Sequence, residues 1–460
     1  MAMKGMDLSR RSLLGGAAGM ALMISTEGLA AVTRPRQKPN FIVILCDDLG
    51  YGDTGPFGNT RVRTPNLDRM AREGTVLSSY YAPANLCTPS RAGLLTGRYP
   101  VRTGLARAVI QAAEKRGLPR SEVTIAQALK PAGYASALFG KWHLGHTGDY
   151  WPPTHYGFDR FYGIPYSHDM VPLAIFDAHA GVAEVKQEPV DFAYPGALKV
   201  KPGVDDVANY TSSLEEKLYD QAAGFIESNK DRPFYLELAL TTPHLPEIPS
   251  KDFKGRSKLG PYADTVEEID AIVGKLLDTV QRLGLEKDTL VLFTSDNGPW
   301  YWGNVTPLRD RKGGAAYDGG YRVPMIAWRP GWIHAGARYD ALCSGIDLLP
   351  TFCKLAGVAP PAGVTLDGID ITATLQNGTA LDREVVLFQG PEVVGIRTQK
   401  WKYIRLMPYP LFGYDELYDV QNDIGESYNL VALHPDVLKD MRERFERAKA
   451  IFQPMVKLQS

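Results

Sequence analysis

Phe41-Ile42-Val43-Ile44-Leu45-Cys46 is an unbroken apolar run of strand length that ends directly in Asp47-Asp48. A strand with one wet face would alternate apolar and polar side chains. Six apolar residues in a row describe a strand buried on both faces, as in the middle of a parallel sheet. Similar segments recur along the chain. Strand-like stretches are read over 135–139, 234–240 and 290–294, and helical ones over 66–73, around 124–132, over 214–228 and over 265–283. In the last of these Val266, Ile269, Val273, Leu276, Leu277 and Val280 keep helical spacing. Strands alternating with helices predict an α/β fold with a mostly parallel sheet flanked by helices.

Chemically able residues gather just past the carboxyl ends of these strands: Asp47 and Asp48, Lys141 and His143, His244, Asp296 and Asn297. Open α/β sheets place their sites at that edge. The pattern changes after about residue 376. Short strands over 384–388, 393–398, 401–406 and 416–420, then a charged amphipathic helix over 435–452, predict a smaller C-terminal antiparallel sheet plus helix. The expected division is a catalytic domain over 38–375 and a small α+β domain over 376–460.

At 460 residues and 44% hydrophobic content the chain can bury a large core. A net charge of −1 supplies no global field for nucleic acid or an acidic membrane. The N-terminus, Ser9-Arg10-Arg11-Ser12-Leu13-Leu14 followed by a short apolar stretch and small residues to Ala31, reads as a twin-arginine signal peptide over 1–31. That implies a twin-arginine translocase as partner, a periplasmic or secreted location, and no stable membrane anchor, since the apolar stretch is shorter than a spanning helix. Four cysteines are few for an exported protein, and no disulfide framework is expected. If Cys343 and Cys353 share a helix, about 15 Å separates them, beyond disulfide reach.

Asp47-Asp48 and Asp296-Asn297, each opening a loop after a strand, offer oxygen ligands to a hard divalent cation, Ca2+ in preference to Mg2+. Lys141 and His143, two apart, leave the same face if the chain there is extended. His244 follows Thr241-Thr242-Pro243, and Lys312 lies in a glycine-rich loop. Trp300-Tyr301-Trp302 could stack on a ring or fill the core. Around Cys87, Thr88 reads as an N-cap and Pro89 as the first helical residue. The positive end of that helix, with Arg91 one turn in, suits an anion.

Cys87-Thr88-Pro89-Ser90-Arg91, continued by Thr96-Gly97-Arg98, resembles the signature of the type I, formylglycine-dependent sulfatases. So do Asp47 to Asp53, Thr64-Pro65-Asn66-Leu67-Asp68, Gly140 to Gly145, Gly163 to Asp169, Ser295 to Gly298 and Lys312 to Gly320, in the style of the arylsulfatase A and N-acetylgalactosamine-6-sulfatase branches. The resemblance spans nearly the whole mature chain and implies an alkaline-phosphatase-like fold. It implies a sulfuric-ester hydrolase whose Cys87 is oxidised by a cytoplasmic formylglycine-generating enzyme and is then hydrated to a geminal diol. One hydroxyl attacks sulfur to give a covalent sulfo-enzyme, and the other expels sulfate.

Carried over by position, the metal ligands are Asp47, Asp48, residue 87, Asp296 and Asn297. Arg91, Lys141 and His143 support residue 87. Ser167, His244, Lys141 and Lys312 contact sulfate, with His244 or Lys312 protonating the leaving alcohol. The substrate is a sulfated small molecule or glycan. Asp318 departs from the family's usual glutamate, and the loop over 173–202 matches nothing familiar and is expected to shape substrate choice. Two other readings stay open: a phosphonate monoester or phosphodiester hydrolase with the same nucleophile, and a non-catalytic sulfoglycan-binding protein.

Overall fold

The opening apolar run forms strand Asn40–Asp47, buried at every position, in the middle of a ten-stranded sheet. Its side chains divide by parity, as a period of two requires. Phe41, Val43 and Leu45 enter the core on one face, and Ile42, Ile44 and Cys46 enter the core on the other. Burial on both faces is therefore what the unbroken run encodes. The computed structural model describes residues 38–188, 214–406 and 414–456. The leader expected over 1–31 and the later part of the 173–202 loop lie outside the described residues.

Thr289–Ser295, Asn40–Asp47, Phe234–Pro243, Ala135–Lys141 and Arg160–Ile164 lie side by side and parallel. Beyond Thr289–Ser295 come antiparallel Met325–Trp328, then Thr75–Leu77 and, at that edge, Ala337–Tyr339, while the antiparallel pair Ile175–His179 and Lys186–Glu188 ends the sheet on the other side. The start of the 173–202 segment is thus an edge hairpin of the main sheet rather than free loop. Helices cover both faces. Cys87–Thr96, Ile125–Leu129 and Leu348–Ala356 supply side chains to one core, and Pro65–Glu73, Leu214–Ser228 and Pro261–Arg282 to the other. Phe41 stacks on Phe352 at 4.2 Å between ring centroids, tying the central strand to its covering helix.

The C-terminal part is a four-stranded antiparallel sheet, Val385–Gln389, Glu392–Arg397, Trp401–Leu406 and Tyr414–Asp419. Helix Pro435–Val456 lays Leu438, Met441, Phe445, Ala448 and Phe452 on one face of it, a stripe at helical spacing. The other face, with Leu387, Val394 and Ile404, packs against Tyr81, Ala316, Tyr317 and Tyr321. The small sheet is therefore fastened to the segment that follows Lys312.

Three local expectations are corrected. Helix Cys87–Thr96 starts two residues before Pro89, with Leu86 as N-cap, so Cys87 is its first residue. Thr88 does not cap it. Its hydroxyl donates to His143 O at 2.9 Å and accepts from Ile110 N at 3.0 Å, and tertiary demand has overridden the local signal. Cys343 and Cys353 do not share a helix, since Cys343 sits in strand Cys343–Ser344 and Cys353 in helix Leu348–Ala356. All four cysteines are buried free thiols. Among the described residues no helix is long and apolar enough to cross a membrane.

Candidate active site

Four neighbouring parallel strands deliver the site at their carboxyl ends. Cys46 pairs with Ser295 across the sheet, so Asp47-Asp48 and Asp296-Asn297 emerge side by side. Asp48 turns off the strand in the left-handed region, φ 67°, which a non-glycine residue adopts only at some cost. Asp296 Oδ1 accepts from Asp48 N at 3.2 Å and Ser295 Oγ accepts from Leu49 N at 2.9 Å, and these bonds hold the turn. Lys141 ends the adjacent strand Ala135–Lys141, and His244 follows strand Phe234–Pro243.

Helix Cys87–Thr96 is pressed onto this edge. Ser90 Oγ donates to Asp296 O. Arg91 donates from Nε to Asp296 Oδ2 at 2.9 Å and from Nη1 to Lys141 O at 2.9 Å, and its Nη2 lies 3.7 Å from Asp47 Oδ1. The anions that Arg91 holds are thus the chain's own carboxylates. Gly93 permits the close fit on the other side, because a Cβ there would stand 2.5 Å from that of Pro83.

Cys87 Sγ is surrounded by charge: 3.5 Å from Asp47 Oδ1, 3.8 Å from Asp48 Oδ1 and 3.3 Å from Lys312 Nζ. Lys141 Nζ pairs with Asp47 Oδ2 at 2.6 Å and Lys312 Nζ with Asp48 Oδ2 at 2.7 Å. Burial raises the Asp47 carboxyl, but Lys141, His244 and Arg91 outweigh it and hold the group well below the usual carboxylate range. Burial pushes the Cys87 thiol far up, and Lys141 and Lys312 only partly offset it. Unmodified, residue 87 is a protonated thiol and a poor nucleophile.

His143 is also left-handed, φ 59°. Lys141 goes under the site to Asp47 while His143 faces the cavity, so the pair does not leave one face together. The Nε2 of His143 contacts Ile110 O at 2.9 Å. A carbonyl only accepts, so Nε2 carries the proton, and Nδ1 is left buried without a partner. Burial first, and then Lys141, keeps this imidazole neutral, well below its ordinary pKa. His244 donates from Nδ1 to Leu245 O at 2.6 Å, and its Nε2 stands 3.6 Å from Asp48 Oδ2 and 3.4 Å from Ser167 Oγ.

These groups open into a cavity of about 540 Å³. Asp48, Cys87, His143, Ser167, His244 and Lys312 line it. Asp47, Arg91, Lys141, Asp296 and Asn297 lie beneath them, fully or almost fully buried. All the expected site residues are therefore brought together in two tiers.

The donor chemistry suits a hard cation. Asp47, Asp48, Cys87 and His244 offer ligand atoms all within 4.8 Å of one another. Asn297 adds an amide whose Nδ2 donates to Asp48 Oδ1 at 2.7 Å and whose Oδ1 is buried with no hydrogen-bond partner, an acceptor that a cation would satisfy. Asp296 is more committed, through Arg91. Three carboxylates here face three cations, Arg91, Lys141 and Lys312.

Comparison with known proteins decides the family. The sulfatase family profile matches residues 39–358, and the C-terminal profile of N-sulphoglucosamine sulphohydrolase matches residues 313–450. The chain belongs to the sulfatase family. This sulfatase is 36% identical to arylsulfatase A of Bos taurus over 94% of its own length and 92% of the relative's. It is 37% identical to N-acetylgalactosamine-6-sulfatase of Rattus norvegicus over 83% and 74%. The crystal structure of PsFucS1 sulfatase from Pseudoalteromonas sp. superposes with a TM-score of 0.79 at 28% identity, covering 91% of each chain. The fold is the alkaline-phosphatase-like one, and the activity is hydrolysis of sulfate esters, as in an arylsulfatase or carbohydrate sulfatase.

Sequence reasoning missed part of the sulfatase's site. Val109, Gln111, Ala112, Met170 and Leu245 wall the cavity, and Ile110 fixes the imidazole of His143 by its carbonyl. None of these carries a chemical pattern, and a main-chain acceptor leaves no trace in sequence at all.

Proposed function

We propose that this sulfatase cleaves sulfate monoesters with residue 87 as formylglycine, made from Cys87 by a formylglycine-generating enzyme before a twin-arginine translocase exports the folded chain to the periplasm or beyond. The observation that carries this reading is the setting of Cys87: first residue of a helix, at the cavity wall, with Asp47, Asp48, His244 and Lys312 around its side chain. Hydrated, the aldehyde offers two hydroxyls on one carbon, one for attack on sulfur and one to expel sulfate afterwards, a pairing that serine lacks. A divalent ion held by Asp47, Asp48, Asp296, Asn297 and residue 87 supplies Lewis acidity, and the carboxylate and amide set favours Ca2+ over Mg2+.

The chain's own groups do the rest. Lys141 and Arg91 hold the carboxylates in place from below. His143, with Nε2–H tied to Ile110 O, presents Nδ1 as the acceptor for the second hydroxyl's proton when sulfate departs. Lys312 and Ser167 contact the sulfate oxygens. His244, whose Nδ1–H is tied to Leu245 O, turns Nε2 to the cavity and protonates the leaving alcohol. The test is a comparison of an aryl sulfate with the matching aryl phosphonate monoester on the purified enzyme. The sulfate should turn over at least about a hundredfold more efficiently, roughly a 2.7 kcal/mol difference in barrier. The reverse order would assign the site to phosphonate or phosphodiester chemistry.

A further inference from the structure

Trp300-Tyr301-Trp302 follows directly on the loop bearing Asp296 and Asn297, and the structure decides between stacking surface and core. Trp300 is 39% exposed, Tyr301 67% and Trp302 68%, so the last two rings contribute little to packing. The ridge is nevertheless held in place. Arg311 donates from Nη1 to Trp300 O at 3.2 Å and to Tyr301 O at 3.0 Å, and its guanidinium lies 5.4 Å from the Tyr301 ring centroid. Large aromatic surface carried in water on an anchored backbone is characteristic of a recognition surface.

Its location fits that role. Trp300 and Leu245 line the catalytic cavity. Two residues further along each segment, Trp302 and Glu247 line a second cavity of about 340 Å³, together with Leu259 and Tyr262. The same two chain segments therefore contribute walls to both cavities. Tyr262 is a fixed wall, since its hydroxyl donates to Asp53 Oδ2 at 2.5 Å and lies 3.3 Å from Asp48 O. Among the described residues Glu247 is the charged group lining this second cavity. A carboxylate accepts from hydroxyls and repels a second anion.

We infer that the second cavity is a distal sugar subsite, in which a neutral, hydroxyl-rich ring stacks on Trp302 and donates to Glu247 while the neighbouring ring presents its sulfate to residue 87. The inference rests on the sulfatase reading above and narrows it: the preferred substrate is a glycan of at least two rings with its sulfate on the ring bound in the catalytic cavity. A pyranose presents a C–H face to the indole and hydroxyls at its rim, which the aromatic wall and the carboxylate match.

The experiment measures kcat/KM of the full chain on methylumbelliferyl sulfate, on a panel of monosulfated monosaccharides, and on the matching disaccharides extended by one neutral ring. For the sugar that is hydrolysed, the disaccharide should exceed the monosaccharide by about tenfold. Trp302→Ala should remove that gain and leave the aryl ester within about twofold, and Trp302→Phe should restore part of it. Equal rates for the two sugars, no hydrolysis of any sugar in the panel, or an equal loss on the aryl ester in W302A would overturn the subsite. Failure to hydrolyse even the aryl ester would instead count against the sulfatase reading.

Discussion

Lys402, on the C-terminal sheet, places its Nζ 2.7 Å from Asp318 Oδ1 of the segment that follows Lys312. Both side chains are fully buried, and Glu426 Oε1 lies 2.6 Å from the same nitrogen. Tyr81 donates to Asp318 and receives from Arg397 Nε, while Asp318 N donates to Glu426 Oε2 at 2.7 Å. The small sheet thus anchors the stretch that carries Lys312 to the cavity, although none of its described residues lines it.

Removing the cation should leave Glu426 without its cationic partner and Asp318 with Arg322, whose Nη1 lies 3.4 Å away, in place of two. Lys402→Met is expected to cost about 3–5 kcal/mol in chemical denaturation and to lower kcat in the surviving folded fraction. A loss under about 1 kcal/mol would show that the network is not stabilising as a unit.

Glu215 carries a second buried charge problem, away from the cavity. Its Oε1 accepts from Thr241 N at 2.8 Å, yet burial dominates and raises the carboxyl from 4.5 to about 7. With the folded pKa above the unfolded one, its stabilising contribution is complete below about 4.5 and is lost as pH rises through about 7. Glu215→Gln has no such proton to lose. The melting temperature of E215Q relative to the parent should therefore rise between pH 5 and 8, and a pH-independent difference would refute the assignment.

The proton donor can be separated from the anion contacts by leaving-group dependence. His244→Ala should lower kcat/KM for sugar or alkyl sulfates by about 10²–10⁴, and far less for nitrophenyl sulfate, whose alcohol leaves without help. A uniform loss across leaving groups would transfer the donor role to Lys312.

Dialysis against a chelator should abolish sulfate release, with Ca2+ restoring it more fully than Mg2+. Asp48→Asn, which keeps the shape and removes the charge, should weaken the metal dependence toward higher ion concentrations. Full activity after exhaustive chelation would remove the cation from the account.

Much of this was legible in the residues for identifiable reasons. The run 41–46 reads as a central strand because it has strand length and is rich in β-branched Ile and Val, and all six side chains are buried. Asp47, Asp48, Asp296 and Asn297 were visible because polar residues directly after buried strands must emerge at one edge. The start of the Cys87 helix was misplaced because the Thr88 hydroxyl serves His143 and Ile110, contacts far away in sequence. The positive φ of His143 defeated the assumption of extended chain. The network around Asp318 joins residues 84 and 108 positions apart, and no local pattern announces it. The fate of Trp302 was decided by exposure, which composition does not encode.

The central claim concerns the side chain of residue 87. Peptide mass spectrometry across Cys87 in catalytically active protein tests it most directly. The account predicts a mass about 18 Da below the cysteine form, with the aldehyde trapped by a hydrazide, in proportion to specific activity. An intact thiol in fully active enzyme would contradict it.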